Sequence, residues 1–351
     1  MSRLEVSVAA IRGAVRAALT GIASTAAYGP KIDDRAVDLG NAVESLPVSA
    51  LPLALVACSG GADSLALAGA AAFVGPRAGW RVGVVSVDHG LQEGSGLRAR
   101  QVVEWAETVG LSPAEVVTVS VGSSGGPEAA ARDARYGALV EVAQRHSASA
   151  VLLGHTEDDQ AETVLLALAR GAGPRGIAGM PAVQERDGVV FVRPLLGISR
   201  AVCRSACAAM GLSVWDDPHN VDPSFARARV RSDVMPTLVS SLGADVVPNL
   251  ARTASLVAAD AEYLDELASV AFGQCLVDGG LEVKALAELP APLRSRVLHA
   301  WVTSLGVPRA SLSYRHIAAL DALVTAWHGQ GSTQLPGNIS VGREANRLVS
   351  L

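Results

Sequence analysis

Leu53-Ala-Leu-Val-Ala-Cys-Ser59-Gly60-Gly61-Ala62-Asp63-Ser64-Leu-Ala-Leu-Ala-Gly-Ala-Ala-Ala-Phe73 decides the fold. The apolar run up to Cys58 predicts a buried strand, the glycine pair a tight turn, and the Ala/Leu-rich stretch from Leu65 a helix. Paired glycines let backbone approach a ligand closely. The first-turn amides of the following helix suit a phosphate anion. Ser59 and Ser64 add hydroxyls, and Asp63 is placed to hold a divalent ion on those phosphates. No Gly-x-x-x-x-Gly-Lys-Ser/Thr occurs, so an ordinary P-loop is excluded.

Outward from this segment, strands and helices alternate. Strands are predicted over residues 82–87, 116–121 and 150–154, and helices over 97–109, 127–145, 158–170 and 199–210, the last stopped by Gly211. This spacing implies an α/β fold, a doubly wound parallel sheet covered on both faces. Ligands of such sheets lie beyond the carboxyl ends of the strands, where the Ser59 loop and Asp88-His89 fall. After Pro236 the alternation stops. A long helix over 245–271 then leads into a smaller mixed C-terminal segment. The expected domains are an N-terminal helical extension (1–48), a catalytic domain (49–240), and a helical linker with an accessory domain (241–351). In the extension, residues 3–25 read as a helix with apolar positions Val6, Ile11, Val15 and Leu19. Residues 122–126 read as a short flexible link.

Composition narrows the class. The 351 residues suffice for two or three domains, and with 50% hydrophobic but only 4% aromatic residues the core is expected to be aliphatic. A net charge of −5 argues against wholesale nucleic-acid coating, but six arginines face three aspartates over residues 193–231, a local basic stretch fit for phosphate. The cysteines (Cys58, Cys203, Cys207, Cys275) have no zinc-like spacing, and a reducing cytoplasm is the expected compartment. No membrane span is expected. The charge-free run 45–62 is broken by Pro47, Pro52 and the glycine pair, and Glu5, Arg12 and Arg16 interrupt the N-terminal helix.

Gly154-His155-Thr-Glu-Asp158-Asp-Gln-Ala-Glu162-Thr163 is the second informative stretch. Thr156 caps a helix whose first turn carries three acids, and acids there favour the helix dipole. That accounts for the charge. It leaves unexplained why His155 and Glu162 join those acids at a strand end, in the domain of a phosphate loop. Asp158 and Glu162 are four apart and share a face, as a Mg²⁺ held by carboxylates and pyrophosphate requires.

The Ser59–Ser64 loop resembles that of the PP-loop ATP pyrophosphatases. The block from His155 through Gly173-Pro-Arg-Gly-Ile-Ala-Gly-Met180 resembles, more specifically, the tRNA(Ile)-lysidine synthetase family. Val87-Asp-His89-Gly-Leu91, Ala131-Arg132-Asp-Ala-Arg135-Tyr136, Arg193-Pro-Leu-Leu196, Asp217-Pro-His-Asn220 and residues 225–238 follow in that family's order. Ala228 stands where the family usually has Asn. Beyond residue 245 the likeness weakens to Leu289-Pro290, residues 293–298, Trp301 and Gly329-Gln-Gly331 with Leu335-Pro-Gly337, which resemble an accessory tRNA-binding domain.

The resemblance implies a ligase. ATP adenylates the wobble cytidine of isoleucine tRNA, releasing pyrophosphate, and free L-lysine then displaces AMP to form lysidine. It implies that Ser59, Gly60, Gly61, Ala62, Asp63, Ser64, His89 and Arg132 bind ATP, and that Asp63 and Asp158 bind Mg²⁺. Asp63, Arg135, His155, Asp158 and Glu162 are implied as catalytic, with Asp158 and Glu162 near the lysine ammonium. Arg193, Arg227, Arg229 and Arg231 are implied as tRNA contacts. Two rivals share the loop: a PP-loop tRNA thiolase, which would need a Cys-x-x-Cys cluster or a persulfide cysteine, and an ATP-binding module without chemistry.

Overall fold

The computed structural model describes residues 3–24, 50–90, 94–120, 122, 127–216, 222–308 and 311–351. Residues 25–48 of the extension, residues 123–126 of the link and the Asp217–Asn220 motif lie outside the described residues. The chain divides into two compact units, residues 1–255 and 256–351.

The first unit opens with α1 (Arg3–Ser24), followed by β1 (Leu53–Ala57) and α2 (Ala62–Val74). Then come β2 (Arg81–Asp88), α3 (Ser95–Thr108), β3 (Ala114–Thr118) and α4 (Pro127–Arg145). Next are β4 (Ala150–Leu153), α5 (Glu157–Ala169), α6 (Gly173–Ile177), β5 (Val183–Arg186) and β6 (Val189–Val192). The unit continues with α7 (Arg200–Ala209), α8 (Ala226–Arg229), a π-helical turn (Val230–Val234) and α9 (Met235–Leu242). The long helix α10 (Val246–Cys275) follows.

Six strands form one sheet in the order β3-β2-β1-β4-β6-β5. All neighbours are parallel except the edge pair β5/β6. The direction of winding reverses between β1 and β4, which opens a crevice at their carboxyl ends. Strand alternation divides the core. Ala54 and Val56 face α2 and α7, whereas Leu53 and Leu55 face Tyr136, Leu139 and Val142 of α4.

Two expectations need correction. The apolar stripe of α1 runs through Ile11, Val15 and Leu19, all wholly buried, while Val6 is 55% exposed and takes no part. Residues Val6–Ser24 are long and apolar enough to cross a membrane, but this stripe is packed into the core with α2 and α7 residues. The second correction is the β5–β6 hairpin. Its signal was Asp187-Gly188 just before the apolar run Val189–Val192, and both residues adopt positive φ, at 52° and 76°.

The second unit holds a five-stranded antiparallel sheet in the order β7-β8-β11-β10-β9. Its strands are β7 (Leu276–Val277), β8 (Gly280–Glu282), β9 (Thr333–Leu335), β10 (Ile339–Glu344) and β11 (Arg347–Ser350). Helices α11 (Val283–Glu288), α12 (Ala291–Ser304) and α13 (Tyr314–Thr325) complete it. Its own core contains Trp301, Leu281, Leu286, Leu298 and Leu320.

Candidate nucleotide and ligation site

The loop after β1 is held from three sides. Ser64 Oγ accepts from the Ser59 amide at 3.2 Å and donates to the Gly61 carbonyl at 3.1 Å. Gly60 adopts φ +85°, and its carbonyl accepts from Arg98 Nη2 at 2.9 Å and from the Trp215 amide at 3.0 Å. Cys207 donates its thiol to the Ala62 carbonyl at 3.2 Å. Among the described residues no side chain caps the amino end of α2, so its leading amides are available to an anion. Gly154, at the end of β4, explains its own identity: a Cβ there would lie 3.0 Å from the backbone N and Cα of Ser64.

A cavity of about 620 Å³ opens at this point. Ser59, Gly61, Ala62, Asp63, Ser64, His89, Arg135 and His155 line it, as do Arg200 and Trp215. Two sequence motifs a hundred residues apart thus meet at the switch point of the sheet.

The acids begin α5. Thr156 and Asp159 form a reciprocal cap, in which the Thr156 amide donates to Asp159 Oδ2 at 2.8 Å. Asp159 Oδ1 accepts from Arg200, Arg227 and Arg231 at 3.1, 3.4 and 3.2 Å. Both Glu162 oxygens are also taken. Oε1 accepts from Arg200 and from Arg231 Nε at 3.2 and 2.8 Å, and Oε2 from Arg227 Nε and Arg231 Nη2 at 2.9 and 3.0 Å. Asp158 turns elsewhere, accepting from the Arg200 amide at 2.8 Å. The expectation that Asp158 and Glu162 jointly grip a metal therefore fails in this arrangement: the Glu162 carboxylate is enclosed by guanidinium groups.

Electrostatics follow from this packing. Burial alone would raise the Glu162 and Asp159 carboxyls. Arg231 outweighs it at Glu162, and Arg227 and Arg200 outweigh it at Asp159, so both stay below the usual range. Asp63 goes the other way. Burial pushes it up to about 6, against the opposing pull of Arg200, whose Nε lies 3.6 Å from Oδ2. Among the described residues, Asp63 Oδ1 is buried without a hydrogen-bond partner. Burial, reinforced by Arg135, Arg193, Arg227 and Arg132, holds His155 well below the usual histidine value, so its imidazole is neutral. Its Nδ1 is also buried and has no partner among the described residues.

The other expected residues separate. Arg132 is exposed and does not line the cavity, whereas Arg135 does. Both guanidinium groups sit over the Tyr136 ring, at 5.5 and 5.6 Å. The expectation that Arg193 contacts tRNA does not fit its position. It is 2% exposed and donates to the Pro181 carbonyl, Tyr136 Oη and Gln184 Oε1 at 2.7, 3.1 and 3.0 Å. The alternating arginines 227, 229 and 231 lie on helical turns, so residues four apart share a face. Arg227 and Arg231 reach the acids, while Arg229 is exposed and donates to the Pro223 and Ser224 carbonyls at 2.7 and 3.0 Å.

Arg200 and Asp159 entered the sequence reading only as members of the basic stretch and of the acidic first turn, and Arg98 did not enter it. A signal existed for Arg200: a cation in the first turn of α7 opposes the helix dipole and demands nearby carboxylates. Gln160 had none in its spacing. It exchanges two hydrogen bonds with the Met180 backbone, at 2.9 and 2.7 Å, and so fastens the Gly-Met turn to α5.

Comparison with known proteins agrees with this geometry. A PP-loop domain family model matches residues 38–238, and a TilS substrate binding domain matches residues 281–349. The tRNA(Ile)-lysidine synthase of Salinispora tropica is 61% identical over 299 residues, covering 85% of this chain and 90% of that one. That of Salinispora arenicola is 55% identical over 351 residues, covering 99% and 98%. That of Streptomyces coelicolor is 53% identical, covering 85% of each. Among solved structures, the U34-tRNA thiolase NcsA from Methanococcus maripaludis with its [4Fe-4S] cluster has a TM-score of 0.54 at 16% identity, over 72% of this chain and 80% of that one. That likeness speaks for the fold alone.

Proposed function

Because the chain belongs to the tRNA(Ile)-lysidine synthase family, we propose that its cavity carries out an ATP-dependent ligation in two steps. The ring carbonyl oxygen of the wobble cytidine of isoleucine tRNA attacks the α-phosphorus of ATP, and pyrophosphate leaves. The ε-amine of free lysine then attacks the activated ring carbon, and AMP departs with the former carbonyl oxygen. The observation that carries this reading is the meeting of an uncapped helix amino terminus and an acidic helix in one cavity.

The amides at Ala62, Asp63 and Ser64, the Ser59 and Ser64 hydroxyls and the open backbone of Gly60-Gly61 are assigned to the ATP phosphates. Asp63 and Asp158 are assigned to Mg²⁺. The fit rests on Asp63 Oδ1, a buried carboxylate oxygen without a donor among the described residues, and two carboxylates with substrate phosphates suffice for this ion. Bound there, Mg²⁺ would neutralise charge on the departing pyrophosphate. Arg135 meets the charge developing at the α-phosphate, and neutral His155 offers hydrogen bonding without added charge. His89 lines the nucleotide end. Asp158, Asp159 and Glu162 supply negative charge for the lysine ammonium. Exposed Arg132 and Arg229 are assigned to tRNA phosphates, whereas Arg193, Arg227 and Arg231 shape the site from within. A cytoplasmic location belongs to the same reading.

The test incubates the purified chain with ATP, Mg²⁺, labelled lysine and unmodified isoleucine tRNA. Label should enter the tRNA only when ATP is present; ATP-independent labelling, or none, overturns the reading. In a parallel incubation that supplies a sulfide donor, thiolated tRNA in place of lysidine would favour the sulfur-transfer rival.

A further inference from the structure

Arg200 occupies a position no other arginine of the cluster shares. Its Nε lies 3.6 Å from Asp63 Oδ2 on the nucleotide side. Its Nη2 lies 3.1 Å from Asp159 and 3.2 Å from Glu162 on the acidic side. Its Nη1 and backbone amide lie 4.0 and 2.8 Å from Asp158. Arg227 and Arg231 reach Asp159 and Glu162 but form no ion pair with Asp63. One guanidinium therefore bridges β1–α2 to α5, and it does so from the cavity wall.

The anchorage of this bridge is stiff. Arg200 and Cys207 are seven residues apart on one face of α7, and Cys207 donates to the Ala62 carbonyl at 3.2 Å. Ser199 caps the helix by accepting from the Val202 amide at 3.4 Å. The α7 backbone is thus tied to both halves of the site, leaving the guanidinium as the element free to redistribute its contacts.

Building on the reading that the acids of α5 receive lysine, we infer that Arg200 is a positioning residue coupling nucleotide binding to lysine binding. Triphosphate arriving at the amino end of α2 brings negative charge beside Asp63 and draws the Arg200 guanidinium toward it. The guanidinium then gives up part of its hold on Asp159 and Glu162, and those carboxylates regain capacity for an ammonium. Lysine binds second, after the nucleotide, and the two affinities are linked through a single side chain.

Calorimetry with the full chain tests this, titrating L-lysine with and without a non-hydrolysable ATP analogue and Mg²⁺. The wild type should bind lysine about fivefold or more tighter with the analogue present, the lower end of ordinary coupling between sites. Arg200→Gln should lose that ratio, bringing it to about one. Arg231→Gln, which also releases Asp159 and Glu162, should tighten lysine binding yet keep the ratio, because Arg231 does not pair with Asp63. Arg200→Lys keeps the charge but cannot span both sides, so it should show a reduced ratio, and it decides the matter if the Gln variant fails to fold. Wild-type coupling that persists in Arg200→Lys and Arg200→Gln overturns the inference, as does a wild type whose lysine affinity ignores the analogue. A wild type that never binds lysine overturns instead the assignment of the acids to lysine.

Discussion

Glu162 is almost wholly buried, yet its carboxylate stays charged because three guanidinium groups surround it. Such a pair of buried acid and arginine is costly to break from one side, since the remaining charges keep their desolvation and lose their partner. Glu162→Gln should therefore destabilise the chain by about 3–5 kcal/mol at neutral pH, measured by denaturant unfolding. The pH dependence has a definite sign. Folded-state values of Glu162 and Asp159 lie below their ordinary 4.5 and 3.8, so their contribution is present above those values and lost as pH falls beneath them. Asp63, raised to about 6, works oppositely: its burden on the folded state is relieved as pH falls from about 6 toward its ordinary value. Wild-type stability should thus rise as pH falls from about 6 toward 4 and drop below it, and Glu162→Gln should flatten that drop. Asp63→Ala should cut ATP–pyrophosphate exchange by about a hundredfold or more, if this carboxylate and its bound cation stabilise the leaving group. Retained exchange would remove Asp63 from the site.

At the scale of elements, the close approach of β4 to α2 is what forms the cavity. Gly154→Ala would press a methyl against the Ser64 backbone, and overpacking of this kind costs about 1–3 kcal/mol. The expected outcome is a lower melting temperature together with weaker nucleotide affinity, because the displaced backbone is the phosphate loop itself. Helix α1 gives a cleaner contrast. Leu19→Ala should cost about 2–5 kcal/mol, whereas Val6→Ala should stay within about 0.5 kcal/mol. Leu19 is wholly buried and Val6 is 55% exposed, and parallel thermal melts would separate the two. Sequence periodicity placed both residues on an apolar stripe, because it registers spacing and not where the receiving surface ends. The same limit applies to β3. Expected over 116–121, it runs from Ala114 to Thr118, since its pairing with β2, and not its apolar run, sets where it begins. The catalytic strands and helices were otherwise legible because a parallel sheet buried on both faces requires long apolar strands between amphipathic helices. The β5–β6 hairpin escaped that scheme as an antiparallel edge.

Across the whole molecule, two units each carry their own core. Trp301, 1% exposed and donating to the Gly279 carbonyl at 3.0 Å, anchors the second. Trp301→Ala should cost that unit about 3–5 kcal/mol. Calorimetric scanning should show its transition moving down alone, while ATP binding by the first unit persists; a single shifted transition would mean the units unfold as one. What the amino-acid sequence determined on its own was local: a strand, a glycine turn and a helix at residues 53–74, and an acidic helix start at 156–162. Both follow from side-chain spacing and backbone freedom, which act over a few residues. Which arginines meet those acids was decided only by tertiary structure. Arg200, Arg227 and Arg231 come from elements far along the chain, and Arg229, between two of them, points away. Charge attraction at such a distance in sequence has no local signature; it takes effect once the sheet has folded and removed the carboxylates from water.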